Sequence, residues 1–510
     1  MENVINERLQ LIVKNRYVLV LFIILFLILD SLVFILPYYL NGYAIPVGWD
    51  TPWYIRNMRL IEEQGVYSLF MKTREINFFS ILEYLFASMF NISFTVTAMV
   101  FPILIVLLFP LVNFQIVKRL TKSNGVSLLS MLFTIIDYNI VRMAGIFHRN
   151  VFCLLLIETA FFLVLPNLLK QQSKKTLFVF VSLATLAGIS QIETFVIAMV
   201  VLSFLLLFYL KHRLVKFAKF LLLCILLPAS LVTLFEAPFL SSFVGDHIAF
   251  NPATKPYYQH FIPQPGNYVL SLGMGLIPLF IVGMHVLFRN ITKYDEPIFQ
   301  FFFFWNSAVI AGSFLPIFNV RIPGWRFLLL LVLPPVVIFG VVKLRLGRPP
   351  FSTKKTLLSI TLIVASIIPS LTGVALNQQL YYRPWVTNDS YHKLVWIGDY
   401  SQNNVCIFVL YFDKGTSTYD WAELYRNWIW AVVGTRTNVY FGDIEYLLQY
   451  QPTNFENQFL NSTSYSFWNE LEDFTLNNAR VYTIEEWYEP PLNETHLVEV
   501  KSDIYFMEFD

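Results

Sequence analysis

Residues 17–37 read YVLVLFIILFLILDSLVFILP, and this run decides the class of the chain. It is all but uninterrupted by charge, Asp30 being the exception, and basic residues stand before it. A membrane-spanning helix needs about 17 to 25 such residues. A secretory leader would be shorter and would close on small residues at a cleavage site, which are missing here, so the run is expected to persist as a first span.

Similar stretches recur outward from it, near 95–117, 125–143, 151–169, 176–192, 194–210, 217–236, 268–288, 298–316, 326–343 and 356–376. The composition agrees: 56% of the 510 residues are hydrophobic and 14% are charged, where soluble domains carry about a quarter charged residues. The expected fold is mainly α, a polytopic transmembrane bundle of about eleven helices with a small α/β extracytoplasmic domain behind it. The expected domains are 1–376 for the bundle, including outside loops at 38–94 and 237–267, and 377–510 for the tail. With a net charge of +2 and scattered basic residues, no nucleic-acid partner is expected. Cys153, Cys224 and Cys406 have no spacing that suits a metal or a disulfide framework and read as packing residues.

Lys and Arg set the orientation. With the N-terminus cytoplasmic, the inside segments collect 20 of them, the outside loops 9 and the tail 7. An odd number of spans then puts the tail outside. Asn-x-Ser/Thr triplets at Asn388, Asn461 and Asn493 suit such a surface.

The first outside loop begins Val47-Gly48-Trp49-Asp50-Thr51-Pro52-Trp53-Tyr54-Ile55. Residues 53–63 and 78–90 read as two short amphipathic helices in the headgroup region. Asp50 stands out, since a carboxylate fixed beyond a span in a partly dehydrated aromatic setting suits a general base. Asp followed by Pro is also an ordinary helix start, so a plain N-cap is the competing reading. Trp49 and Tyr54 are the neighbouring substrate-side candidates. The second loop carries Asp246, His247, Lys255 and His260, and reads either as a lid over substrate or as a loop packed on the tail.

Charges near span ends in so apolar a chain are costly and often functional. Arg142, His148, Arg149 and Asn150 follow the third span, Glu193 lies between the fifth and sixth, and Arg321 and Arg326 flank the tenth, all on one expected membrane face. A guanidinium fork matches phosphate oxygens. Snorkelling to headgroups is the alternative for each arginine. Asp30, Asp137 and Glu158 lie inside spans, where helix-to-helix hydrogen bonding explains them as readily as an ion path does.

Gly48-Trp49-Asp50-Thr51-Pro52-Trp53-Tyr54-Ile55, His148-Arg149-Asn150, Gln191-Ile192-Glu193-Thr194 and Pro323-Gly324-Trp325-Arg326-Phe327, in that order, resemble the C-type glycosyltransferase superfamily (GT-C), polytopic enzymes with an acidic residue in the first outside loop. The likeness covers the layout of roughly residues 1–376. It implies a sugar donor on a polyprenyl or dolichyl phosphate, a glycan, lipid or protein acceptor, and inversion at the anomeric carbon. By the same resemblance Asp50 takes the acceptor's proton, while Arg149 and Arg326, with Arg142, His148 and Arg321 nearby, hold the leaving phosphate; Glu193, Asp246 and His247 are placed on the substrate side. The oligosaccharyltransferase subtype is disfavoured, because a Trp-Trp-Asp signature is missing from the tail. No cofactor is expected and no obligatory metal, since the first loop lacks Asp-x-Asp; Asp50 with Glu193 leaves room for one divalent cation.

In the tail, 405–411 reads as a buried strand, 419–433 as a helix, 438–441 and 479–484 as strands, and the end as a hairpin. The tail is expected to bind acceptor glycan through exposed aromatics or to brace the second loop. A transporter of lipid-linked saccharide or a non-catalytic assembly protein are the alternatives; an internal repeat, which a transporter would favour, is not visible.

Overall fold

The computed structural model describes residues 15–42, 45–48, 50–73, 77–248, 265–271, 274–292, 297–318, 324–345, 365, 367–375, 388–400, 405–411, 428–434, 438–443, 480–486, 497–501 and 504–507. They form two compact units. One comprises 1–42, 69–90 and 99–383; the other gathers 43–68, 91–98 and 384–510.

The first unit is a helical bundle. Helix α1 (Arg16–Asn41) is capped by the Asn15 side chain, which accepts from the Tyr17 amide, and ends on Gly42 in the left-handed region at φ 63°. Leu19, Phe22, Ile23, Phe26 and Leu27 pack on a core of Phe114, Leu128 and Met131, while Leu21, Ile24 and Leu25 face outward. An exposed leucine stripe of this kind belongs against lipid. Helix α2 (Thr51–Gln64) belongs to the second unit, and α3 (Val66–Thr73) follows it. The bundle continues with α4 (Phe78–Phe90), with α5 (Phe94–Val106) from Met99 onward, and with α6 (Leu108–Thr121). By length and composition, six helical stretches among the described residues can cross a membrane: 16–41, 94–121, 148–171, 192–211, 215–235 and 298–317.

Several expected spans take other forms. The 125–143 stretch is α7 (Asn124–Ile135) and α8 (Tyr138–Ile146), bent by 47°. Asp137 sits at the bend, where its carboxylate accepts from the Asn139 amide at 2.9 Å and restarts the helix. Helix α9 (His148–Glu158) runs through a π-helical turn, Thr159–Val164, into α10 (Leu165–Gln171). Then come α11 (Lys174–Ser190), α12 (Ile192–Lys211) and α13 (Val215–Ile248). At about 1.5 Å per residue, the 34 residues of α13 far exceed what the hydrocarbon layer requires. The part apolar enough to cross a membrane ends at Phe235, and the helix continues through the start of the expected loop 237–267.

Helices α14 (Pro265–Ser271), α15 (Ile277–Arg289) and α16 (Ile298–Gly312) lead to the expected tenth span. That span divides into α17 (Gly324–Leu328) and α18 (Leu333–Arg345). Pro334 and Pro335 are the cause, since neither has an N–H to continue a helix through 329–332. The freed backbone groups are met by side chains: Trp305 Nε1 donates to the Leu330 carbonyl at 2.9 Å, and Asn306 Oδ1 accepts from the Val332 amide at 3.2 Å. Irregular backbone at membrane depth persists only where protein satisfies it in this way.

In the second unit, α2 is buried along most of its length, through Thr51, Tyr54, Ile55, Met58, Leu60 and Ile61. It is therefore held by protein rather than lying freely among headgroups as the sequence suggested. Helix α19 (Asn388–Tyr400) and a mixed sheet complete the unit. The strands are β1 (Val405–Tyr411), β2 (Asn438–Asp443), β3 (Arg480–Glu486), β4 (Leu497–Lys501) and β5 (Ile504–Met507), in the order β2-β1-β3-β5-β4. Strand β1 is parallel to both neighbours, with Ile407 opposite Val439 and Tyr482. Strands β3, β5 and β4 are joined antiparallel. The α/β tail expected from the sequence is thus present, and the chain is a multi-pass membrane protein of mainly α class.

Candidate functional site

A short break in the bundle organises the charged residues of the first unit. Gln191 is extended, at φ −156° and ψ 99°, and separates α11 from α12. The last carbonyls of α11 then need donors. The Ala187 carbonyl accepts from the Gln191 amide at 2.9 Å, with Cys153 Sγ 3.3 Å away, and Arg149, four residues before Cys153 and so on the same face of α9, donates through Nε to the Ser190 carbonyl at 3.1 Å.

From there a polar chain runs along the helix ends. Arg149 Nη2 donates to Gln191 Oε1 at 2.7 Å, and Gln191 Nε2 donates to Glu193 Oε2 at 3.2 Å. Glu193 Oε1 lies 3.7 Å from Arg326 Nη1. Arg326 lies 5.8 Å from the Trp325 ring centre and 5.8 Å from that of Phe147; Arg142 is over the same Trp325 ring at 4.8 Å. Four residues singled out from the sequence, Arg142, Arg149, Glu193 and Arg326, are therefore linked through Gln191 and Trp325.

Asn150, Glu193, Thr194 and Arg326 stand at the polar part of a groove of about 460 Å³. Val196, Ile197, Val200 and Phe204 form one wall, down α12; Ala308, Ala311, Gly312, Leu315, Phe327 and Leu330 form the other. From Glu193 to Phe204 the wall is about 16 Å long at 1.5 Å per residue. Gly312 lets Phe327 pack closely within the second wall, because a Cβ there would stand 2.5 Å from the Phe327 ring. One guanidinium, that of Arg326, beside Glu193 at one end, and an uncharged wall beyond, fit an amphiphile with an anionic head.

His148 is placed otherwise. It is buried, with Nδ1 4.0 Å from Glu83 Oε1 and its ring 6.2 Å from that of Phe79, and it is not among the residues lining the groove. Burial pushes the Glu83 carboxyl well above the usual carboxylate range. Glu83 was missed in the sequence, although it is the sole charge in FFSILEYLFASMF. Gln191 was also passed over as a site residue, because its linking role depends on the helix break.

Asp50 belongs to the second unit. It occupies the N-cap position of α2 with Pro52 in the first turn, and its carbonyl accepts from the Trp53 and Tyr54 amides at 3.0 and 3.3 Å. Its half-buried side chain makes no capping hydrogen bond, so the plain N-cap reading accounts for the position and not for the carboxylate. Tyr54 is buried, edge-on to Trp53 at 5.3 Å. Trp49 and Arg321 lie outside the described residues, as do Lys255 and His260; Asp246 and His247 lie on the backbone of α13 with their side chains outside the description. Among the described residues no group of three or more His, Cys, Asp or Glu is disposed to hold a metal ion.

No family model matches the chain, and no curated protein sequence does. Solved structures do match. The crystal structure of the Archaeoglobus fulgidus oligosaccharyltransferase in its apo form aligns with a TM-score of 0.56 at 11% identity, over 92% of this chain and 70% of that one. A mutant form of the arabinofuranosyltransferase AftD from mycobacteria aligns at a TM-score of 0.45 and 10% identity, over 77% of this chain and 31% of its own, a likeness too slight to argue from. At such identity the first match speaks for architecture alone: this chain shares the fold of that membrane protein.

Proposed function

We propose that the chain is a membrane glycosyltransferase that moves a sugar from a polyprenyl- or dolichyl-phosphate donor to a glycan, lipid or protein acceptor on the outer face. The observation that carries the reading is the groove: arginine and glutamate at its head, and a membrane helix as its apolar wall. The donor would lay its tail along α12 and present its phosphate to Arg326, with Arg149 and Arg142 adding positive potential. Asp50 would accept the proton of the acceptor hydroxyl as its oxygen attacks the anomeric carbon. The bond from that carbon to the phosphate oxygen breaks, and the phosphate leaves with the electron pair. Because the leaving group is already an anion, it needs cationic stabilisation more than a proton donor. The excess of basic residues in the inside segments supports a cytoplasmic N-terminus and an extracytoplasmic tail.

The test is transfer from labelled lipid-phosphate sugars by membranes holding the protein. Asp50→Asn is expected to lower transfer by about 10² to 10⁴ while still binding the lipid donor. Full activity in Asp50→Asn would remove Asp50 from the chemistry; no transfer from any lipid-phosphate sugar by the unaltered chain would end the reading.

A second reading, a transporter of lipid-linked saccharide, is favoured by one observation: the span bent at Asp137, with buried Asp137 and Glu158. It requires movement of a labelled lipid saccharide between vesicle leaflets without any acceptor. Asp50→Asn should not affect such movement.

A further inference from the structure

The ion pair at the head of the groove is loose. At 3.7 Å, Glu193 Oε1 is beyond hydrogen-bond distance of Arg326 Nη1, and the side chains keep 14% and 40% of their exposure. Gln191 Nε2 holds the other Glu193 oxygen, and Arg326 Nε is buried without a hydrogen bond. Arg326 Nη1 thus has an acidic neighbour and no hydrogen bond to it.

Resting on the groove reading above, we propose that Glu193 is a placeholder for the anion. In the empty groove its carboxylate balances Arg326, and it competes with the lipid phosphate for that guanidinium. A lone cation at the mouth of an apolar membrane groove is costly, which explains the carboxylate. An ion pair of this exposure is worth about 0 to 1 kcal/mol, so a phosphate that engages the guanidinium bidentately displaces it. The same carboxylate favours release. Transfer turns a phosphodiester with one negative charge into a monoester whose second proton leaves near pH 6, and Glu193 repels the added charge. It is therefore a positioning and release residue.

The experiment is calorimetric titration of the full chain in lipid nanodiscs with farnesyl phosphate, farnesol and inorganic phosphate. Glu193→Gln is expected to bind farnesyl phosphate roughly two- to five-fold more tightly, with farnesol unchanged, the gain vanishing in an Arg326→Gln background. Glu193→Ala is read beside it, and farnesol binding reports an intact groove in each. Equal or weaker binding by both Glu193 variants overturns the proposal, as does a gain that survives without Arg326. Competition by inorganic phosphate at equal concentration overturns it as well, since the site would then read a free anion and not a lipid headgroup. Failure of the unaltered chain to bind farnesyl phosphate would bring down the groove reading and this one together; binding without a gain in Glu193→Gln brings down this one alone.

Discussion

Arg149 and Arg326 look alike in the sequence and differ in the folded chain. Arg149 uses Nε and Nη2 to hold the Ser190 carbonyl and the Gln191 amide, so it secures the start of α12. Arg326, on the five-residue α17, lines the groove with Glu193 beside it. Arg149→Ala removes charge-assisted hydrogen bonds at a helix end, each worth about 1.5 to 3 kcal/mol, and should lower the melting temperature of the purified protein. Arg326→Ala should leave the melting temperature nearly unchanged and weaken lipid-phosphate binding by about ten-fold or more, on the same scale for a charged hydrogen bond. Equal effects of the two on melting would mean that both arginines are structural. The sequence pointed to both residues because charges are rare among these apolar helices. It was silent on their division of labour, which depends on the backbone turning at Gln191 and bringing the end of α11 to Arg149.

At the scale of elements, long apolar runs were legible and their interruptions were not. The runs at 17–37, 194–210 and 298–316 correspond to the helices Arg16–Asn41, Ile192–Lys211 and Ile298–Gly312. The bend before Tyr138 and the gap at 329–332 escaped notice, since hydropathy is blind to whether a neighbouring Asn306 or Trp305 will satisfy freed backbone groups. Close approach is a further property that hydropathy misses. A Cβ on Gly340 would stand 2.2 Å from the Leu279 carbonyl oxygen, and one on Gly283 would stand 2.0 Å from that of Val336. Helices α15 and α18 therefore meet backbone to backbone, as small residues allow in membranes. Gly283→Ala or Gly340→Ala must push rigid backbone aside, at about 1 to 3 kcal/mol by the overpacking scale. Gly125, with nothing within 4 Å of an added Cβ, should tolerate alanine. Thermal unfolding in detergent, comparing Gly340→Ala with Gly125→Ala, checks this; equal melting temperatures would contradict the close packing.

At the scale of the whole molecule, the chain returns to its beginning. The C-terminal part was legible as α/β because residues 405–411 and 438–441 are short apolar runs bounded by polar ones, as a parallel pair requires. That it would gather residues 43–68 and 91–98 into one unit was not legible, because contacts across 296 positions and more leave no local pattern. The contacts are specific. Arg56 of α2 stacks over Trp430 with its guanidinium carbon 4.3 Å from the ring centre, Thr95 and Tyr391 share a hydrogen bond of 3.4 Å, and Tyr391 meets the buried Trp428 edge to face at 5.7 Å. Arg56 lies six residues beyond Asp50, so the side of α2 held by Trp430 is on the same short helix whose first turn follows that carboxylate. A cation stacked on indole contributes about 0.5 to 2 kcal/mol, and local opening of a helix follows the contacts that restrain it. Trp430→Ala should therefore speed amide hydrogen exchange across residues 51–64 by roughly two- to thirty-fold, that range being 0.5 to 2 kcal/mol converted, with little change in α12 or α16. Exchange in α2 that is indifferent to Trp430 would show that the helix is held by the remainder of its buried face, and the C-terminal part would then need another role than steadying the segment that carries Asp50.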